Sequence, residues 1–329
     1  MRAVLCREFG SYEKLVVADV PAPPDPGPGQ VKLRVRAAGL NFADLLMIGG
    51  TYQEKPALPF SPGLEAAGEV MAVGPGVTRL APGDRVLALL DQGGFAEQAL
   101  AREADVHKLP AGLDDATAAG FAIAYGTAHG ALRWRADVKP GETVLIHGAG
   151  GGVGLAAVEV AKAMGATVIA TAGDAGKLAI AREHGADHLI DYKTEGLRGR
   201  VKAICDGLGK GGVDVVYDPV GGEVFDQSLR CMSWCGRLVL IGFASGSVPQ
   251  IPANILLVKN LTVLGLYWGS YRRHRPDLLA EAFAELFAWH QAGRLRPHIS
   301  HSLDLDRARE ALDLIKTRRS TGKVVLTIG

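Results

Sequence analysis

One stretch constrains the fold of this chain more than any other: Thr143-Val-Leu-Ile-His-Gly-Ala-Gly-Gly-Gly-Val-Gly154. A short apolar run leads into a glycine loop, and the loop opens a segment, 155–164, with the spacing of a buried helix. Aligned to the pattern G-x-G-x-x-G, the key positions are Ala149, Gly151 and Gly154, so an alanine replaces the first glycine. Gly151 would let the backbone approach a pyrophosphate, and Gly154 would let helix and strand pack closely. The N–H groups of Gly152 and Val153 would then face an anion at a helix N-terminus. A glycine-rich turn can be purely structural, but the strand–turn–helix setting favours a dinucleotide site.

The surrounding rhythm agrees. Apolar runs at 143–147, 167–171, 213–217, 237–241 and 261–264 read as strands buried on both faces, with helical patterns at 153–164, 175–184 and 222–232 between them. That alternation predicts an α/β fold, a Rossmann-type doubly wound parallel sheet. Residues before about 120 behave differently. Val31-Lys-Leu-Arg-Val-Arg-Ala37 alternates as a half-buried strand, and 68–73, 85–89 and 94–99 read as further short strands. The proline-rich stretch 21–30 is a loop, and the whole suggests a β-rich barrel or sandwich. Two amphipathic helices follow residue 270: Leu279, Phe283 and Leu286 share a face of the first, which Gly293 ends, and Ala308, Ala311, Leu312 and Ile315 share a face of the second. The tail 323–328 is a final strand that returns to the first domain. The expected division is 1–122 with 268–329 in one discontinuous domain, and 123–267 in the nucleotide domain.

The second strand of the nucleotide domain bears on the choice of dinucleotide. NAD sites place a carboxylate at its end to hold the ribose 2′-OH. Here Gly173 stands there, which leaves room for a 2′-phosphate; Lys177 one turn on could pair with it, and Tyr192 after the third strand could add a hydroxyl. Asp174 opposes this, because its charge would repel a phosphate, and turned inward it would favour NADH. Lys177 could equally be a solvated helix lysine.

Charge and cysteine usage exclude other classes. With 36 basic and 35 acidic residues the net charge is +1, and no basic stripe points to nucleic acid. No apolar run is long enough to span a membrane, and the N-terminus lacks the apolar core of a signal peptide, so the expected location is the cytoplasm. Four cysteines, Cys6, Cys205, Cys231 and Cys235, are too scattered for a disulfide framework. Cys231 and Cys235 lack a second pair to complete a zinc site and read as buried small hydrophobes; His298 and His301 form no ligand set. No metal site is expected.

Further segments carry a resemblance. Ala38-Gly-Leu-Asn-Phe-Ala-Asp44, Pro59-Phe-Ser-Pro-Gly-Leu-Glu-Ala-Ala-Gly68, residues 77–86, the loop 147–154 and Ser320-Thr-Gly-Lys-Val324 make the chain similar, over its full length, to the zinc-independent, zeta-crystallin-like quinone oxidoreductases of the medium-chain dehydrogenase/reductase superfamily. Zinc-dependent relatives carry a cysteine ligand where this chain has Asn41, and their Gly-His-Glu is here Gly63-Leu64-Glu65. The resemblance implies a GroES-like, β-rich catalytic domain, NADPH without zinc, and a homodimer joined through the edge of the Rossmann sheet. It places Asn41 and Thr127 near the nicotinamide, and Gly173, Lys177 and Tyr192 at the 2′-phosphate. Val220, Gly242, Phe243, Leu266 and Tyr267 line the cofactor from later strand ends, and Lys323 of the last motif joins the cofactor contacts.

The expected reaction is hydride transfer from NADPH to a quinone or similar conjugated carbonyl. Without a metal, the developing oxyanion needs donors, and Asn41 and Tyr52 can supply an amide and a phenol. Asn41 could instead only stabilise a turn, and Tyr52 could be an exposed loop aromatic. Tyr52, Phe95 and Trp268 are candidates to stack on a flat acceptor. Double-bond reduction of 2-alkenals, enones or enoyl thioesters needs the same geometry, and Arg272-Arg-His-Arg275 could hold a coenzyme A phosphate unless it is only a solvated basic turn. The reading of another class is a non-catalytic NADPH-binding protein.

Overall fold

The chain opens with an antiparallel hairpin, β1 (Arg2–Leu5) against β2 (Val16–Asp19), and the prolines of 21–28 carry it without regular structure to β3 (Gln30–Gly39). Alternation makes β3 two-faced: Val31, Leu33 and Val35 are buried between more accessible neighbours. After α1 (Phe42–Ile48) come β4 (Glu65–Val73), β5 (Arg85–Leu89), β6 (Gln98–Arg102) and β7 (Val106–Lys108). Strand β3 pairs antiparallel with both β4 and β6. The expected strand at 94–99 begins only at Gln98. Phe95 and Ala96 instead meet β1, where the Val4 N–H donates to the Phe95 carbonyl, and the Phe95 ring is fully buried.

A short helix α2 (Asp115–Ala119) is capped by Asp114, whose carboxylate accepts the Thr117 N–H; α3 (Ala122–His129) follows and widens into a π-helical turn over 130–135. The glycine-loop region then forms as expected: β8 (Thr143–Ile146), α4 (Gly152–Ala163), β9 (Thr167–Ala172), α5 (Ala175–Glu183), β10 (His188–Asp191), α6 (Leu197–Gly207), β11 (Val213–Asp218), α7 (Glu223–Cys231), β12 (Met232–Leu240), α8 (Ala253–Lys259) and β13 (Thr262–Gly265). Helices α6 and α8 have no counterpart in the expected pattern. The strands lie in the order β10-β9-β8-β11-β12-β13, all parallel. That order is 3-2-1-4-5-6 of a Rossmann sheet, and all four residues of β8 are buried, as a strand covered on both faces requires. Leu145, Ile169, Val216 and Leu238, from four of its strands, share one core.

Helices α9 (Tyr271–His274) and α10 (Pro276–Gln291) follow, and α10 gives way to Gly293 at φ +72°. The chain ends with β14 (Ile299–Asp304), α11 (Ala308–Lys316) and β15 (Lys323–Thr327). The last strand returns to pair antiparallel with β3, so the first sheet runs β14-β15-β3-β4-β5-β7 with β6 also on β3. All residues 1–329 are described in this computed structural model. They form two units, one of Met1–Ile123, Arg272–Ala280 and Pro297–Gly329, the other of Ala124–Tyr271 and Glu281–Arg296.

Candidate functional site

In the second unit, parallel strands send all their carboxyl ends to one edge of the sheet, and the order reverses between β8 and β11. That switch point is where ligands bind such sheets. At its centre β8 is followed by His147, whose ring is buried between the Thr171 hydroxyl (Nδ1, 2.9 Å) and the Ser228 hydroxyl (Nε2, 2.7 Å). Ser228 itself donates to the Val224 carbonyl, so Nε2 carries the hydrogen and Nδ1 accepts from Thr171. Burial lowers the His147 pKa to about 4, so the ring is a neutral brace between β8, β9 and α7.

The chain then turns through Gly148 (φ +61°) into α4. A Cβ on Gly154 would lie 2.2 Å from the Gly148 carbonyl oxygen, so only glycine allows loop and helix to pack this closely. A Cβ on Gly151 would meet protein only at 3.5 Å, which leaves its outer side open. Gly151 is also the N-cap of α4 and has no side chain to cap it. The first-turn N–H groups of Gly152 and Val153 therefore stand at the positive end of a helix without a capping side chain, a site suited to an anion.

Beyond β9, a Cβ on Gly173 would lie 2.7 Å from the Tyr192 hydroxyl and 3.0 Å from Lys193 Cε. A carboxylate side chain has no room there. Lys177 packs its stem over Gly150, where an added Cβ would come within 2.5 Å of Lys177 Cβ. Lys177 is thus half-buried against the glycine loop and is not a solvated helix lysine. Asp174 does not turn inward. One of its oxygens caps α5 by accepting the Lys177 N–H at 2.9 Å, and the other lies 3.8 Å from the Lys177 ammonium. Lys193 was not anticipated, although it is the immediate neighbour of Tyr192.

Five of the other expected residues follow the same strand ends, and Thr127 lies in a helix. Val220 and Gly221 follow β11, and their N–H groups both donate to Asp218 Oδ1, at 2.8 and 2.9 Å. Gly242 and the exposed Phe243 follow β12, and Leu266 and Tyr267 follow β13. Thr127 is buried in α3.

In the first unit, the pairing of β15, β3 and β4 brings three distant residues to one sheet end. Lys323 opens β15, Asn41 follows β3, and Glu65 opens β4. All three are buried. The Lys323 ammonium donates to the Leu40 carbonyl (2.7 Å), Asn41 Oδ1 (2.6 Å) and Glu65 Oε1 (2.8 Å). Its three hydrogens are thereby engaged, so Lys323 keeps none for a cofactor and is not the ligand contact expected of it. Asn41 Nδ2 donates to Glu65 Oε1 at 2.8 Å, and Glu65 Oε2 accepts the Ile123 N–H at 2.7 Å. The Asn41 N–H donates to Asp44 Oδ2 at 2.7 Å. Asp44 is fully buried, and desolvation pushes its pKa up to about 7. Tyr52 is half-buried against the first core rather than exposed on a loop.

Three expectations fail for packing reasons. Phe95 is a core residue and presents no face to a ligand. Trp268 is buried too, pressed so close to the α3 backbone that a Cβ on Gly126 would lie 2.2 Å from its ring. Of the arginines of 272–275, Arg272 is turned inward and binds both oxygens of buried Asp105 at 3.0 and 2.9 Å, while Arg273 and Arg275 are the solvated residues of a basic turn, paired at the surface with Glu54 and Asp277. Cys231 is buried as expected, but Cys235 is exposed, at φ +62° within β12.

A Rossmann sheet with an open glycine helix start, in a chain that also forms a β-rich unit, defines a nucleotide-dependent dehydrogenase or reductase. Comparison with known proteins narrows the class. Residues 27–111 match the family model for the alcohol dehydrogenase GroES-like domain, and 152–285 that for zinc-binding dehydrogenase. The chain is 46% identical to quinone oxidoreductase-like protein 2 homolog of Nematostella vectensis, over 99% of this chain and 88% of that one. It is 40% identical to a quinone oxidoreductase of Pseudomonas aeruginosa, over 97% of each chain. The solved structure of Escherichia coli quinone oxidoreductase complexed with NADPH superimposes with a TM-score of 0.91 at 32% identity, covering 99% of this chain and 100% of that one. The chain belongs to the quinone oxidoreductases of the medium-chain dehydrogenase/reductase superfamily and is an oxidoreductase.

Proposed function

We propose that the chain is a zinc-independent, NADPH-dependent quinone oxidoreductase that transfers hydride to a quinone or similar conjugated carbonyl. The unit of Ala124–Tyr271 and Glu281–Arg296 serves as the dinucleotide domain, and that of Met1–Ile123, Arg272–Ala280 and Pro297–Gly329 as the catalytic domain, in place of the expected bounds of 123–267 and of 1–122 with 268–329. The observation that carries the cofactor choice is the crowding at Gly173. Tyr192 and Lys193 occupy the space where an NAD enzyme needs a carboxylate, and Lys177 stands over the glycine loop. Asp174, the residue that argued for NADH, is held as a helix cap.

NADPH, when bound, supplies the hydride from its nicotinamide. The N–H groups of Gly152 and Val153 hold the pyrophosphate, and Lys177, Lys193 and the Tyr192 hydroxyl hold the 2′-phosphate. Asn41 and Thr127 border the nicotinamide. Val220, Gly242, Phe243, Leu266 and Tyr267 line the rest of the cofactor. Asn41 donates an amide hydrogen to the acceptor oxygen as negative charge develops there, and Tyr52 is a second donor. Zinc does not suit this place. The groups beside Asn41 are the carboxylates of Asp44 and Glu65, already engaged by protein donors, and the Lys323 ammonium 2.8 Å from Glu65, with no thiolate or imidazole among them. With Arg272 committed to buried Asp105, the case for an acyl-coenzyme A substrate loses one arginine of its phosphate site.

A second copy suits the open edge of the parallel sheet. β13 pairs only with β12, and Trp234, Leu257 and Val258 nearby are 72%, 77% and 73% exposed. No helix is long and apolar enough to cross a membrane, and four unpaired cysteines suit the reducing cytoplasm.

Steady-state oxidation of NADPH and NADH with quinones, 2-alkenals and crotonyl-CoA, before and after chelator treatment, tests the proposal. Quinone turnover with NADPH preferred and no chelator effect is expected. A clear NADH preference overturns the 2′-phosphate argument, faster reduction of an alkenal or of crotonyl-CoA overturns the substrate, and NADPH binding without turnover makes the chain a binding protein.

A further inference from the structure

We propose that Glu65 and Lys323 form a polarity lock that fixes which way round the Asn41 amide sits, and so makes Asn41 a hydrogen-bond donor to substrate. The inference rests on the donor role proposed above for Asn41. An asparagine amide has a near-symmetric shape, and rotating it by half a turn exchanges its acceptor for its donor. What decides between the two states is the chemistry on either side. An ammonium can only donate and a carboxylate can only accept.

In this cluster Lys323 faces Asn41 Oδ1 at 2.6 Å and Glu65 faces Asn41 Nδ2 at 2.8 Å. Inverting the amide would set its oxygen against a carboxylate and its N–H groups against an ammonium. Two charge-assisted bonds would become two repulsions in a buried place where water cannot relieve them. The pair is itself immobile. Lys323 is held by the Leu40 carbonyl, and Glu65 by the Ile123 N–H. A Cβ on Gly39 would lie 2.4 Å from Glu65 Oε1 and 2.1 Å from the Ala119 carbonyl oxygen, so the carboxylate lies directly against bare backbone. The Asn41 main chain is tied through its N–H to Asp44. With Oδ1 and one Nδ2 hydrogen engaged, the second Nδ2 hydrogen is what the side chain retains for a ligand. Glu65 and Lys323 are positioning residues: they act on the acceptor only through Asn41.

Charge exchange distinguishes the lock from a merely structural ion pair. In Glu65→Lys with Lys323→Glu, the attraction is kept but its direction reversed, so the Asn41 amide turns its oxygen outward. The expected result is that the double variant regains thermal stability relative to either single variant, while kcat with a quinone stays at least tenfold below wild type and KM for NADPH within twofold of it. Recovery of kcat together with stability would overturn the lock. Should the exchanged pair fail to fold, Glu65→Gln combined with Lys323→Gln decides, because amides on both sides can serve either orientation of Asn41. A kcat at least twofold lower with unchanged KM for NADPH supports the lock, and a wild-type kcat overturns it. Asn41→Ala, assayed alongside, separates the two claims. If it retains full turnover, the donor role of Asn41 fails. If it loses turnover while the Glu65→Gln, Lys323→Gln variant does not, the lock alone fails.

Discussion

Replacing Asp44 by Asn should make the first unit more stable at pH 8 and change little at pH 4. Asp44 is fully buried beside Glu65, and desolvation raises its pKa from 3.8 to about 7, although the Asn41 N–H and the charge of Lys323 pull the other way. A raised carboxyl pKa means the folded chain holds this proton more tightly than the unfolded chain does. Stability therefore falls as pH rises from about 4 to 7, because folding increasingly requires a proton that solution has removed or a buried charge. Below pH 4 both states are protonated and the cost vanishes. From 3.8 to about 7, at about 1.4 kcal/mol per tenfold change in proton affinity, the full cost above neutrality is about 4 kcal/mol. Asparagine keeps an oxygen to accept the Asn41 N–H and never ionises, so a gain of about 2–4 kcal/mol at pH 8 is expected. The probe must report the first unit, and all four tryptophans, at 134, 234, 268 and 289, lie in the second. Hydrogen exchange read by mass spectrometry on peptides covering 40–50 and 320–329, between pH 5 and 8, gives the opening free energy where it matters. A stability difference that does not depend on pH, or a variant less stable at pH 8, would refute the account of Asp44 as a carboxyl held against its charge.

Two further substitutions test other parts of the geometry. Gly39→Ala drives a methyl group to 2.1 Å from the Ala119 carbonyl oxygen and 2.4 Å from Glu65, and should cost about 3 kcal/mol or more in a thermal melt followed by circular dichroism; a loss below about 1 kcal/mol would show that the sheet end is looser than described. Lys177→Ala should raise KM for NADPH about tenfold, or about 1.4 kcal/mol, and leave KM for NADH unchanged, whereas equal effects on both would assign the lysine to the pyrophosphate or to loop packing.

What could be read from the sequence was what is local along it. The glycine loop declares itself because strand, turn and helix N-terminus follow one another within a dozen residues, and steric demands at Gly154 are met by its own neighbours. Gly173 was legible for the same reason: it ends the strand after that helix. Even Asp174 had a local signal, since an aspartate three residues before Lys177 at the start of a helix is a common cap, but the charge argument obscured it. The misreadings have a common form. Arg272 looked available because its neighbours in sequence are basic, yet its partner Asp105 lies 167 positions away. Phe95 was a candidate to stack on a flat acceptor, yet its ring is buried in the core where its backbone meets β1.

Lys323 shows the same rule from the functional side. Its motif placed it among cofactor contacts, while strand register places it 2.8 Å from Glu65, a partner 258 positions away. A cation's meaning depends on how many of its hydrogens are already engaged, and that count is a property of the sheet and not of the motif. It separates two groups of basic residues here. Lys177 packs over Gly150 of the glycine loop and Lys193 against Gly173, beside the proposed cofactor site, while Lys323 and Arg272 are bound on several sides by protein. Substituting a member of the first group should alter which cofactor is held. Substituting a member of the second should alter stability, and for Lys323 also the orientation of the one amide on which hydride transfer is proposed to depend.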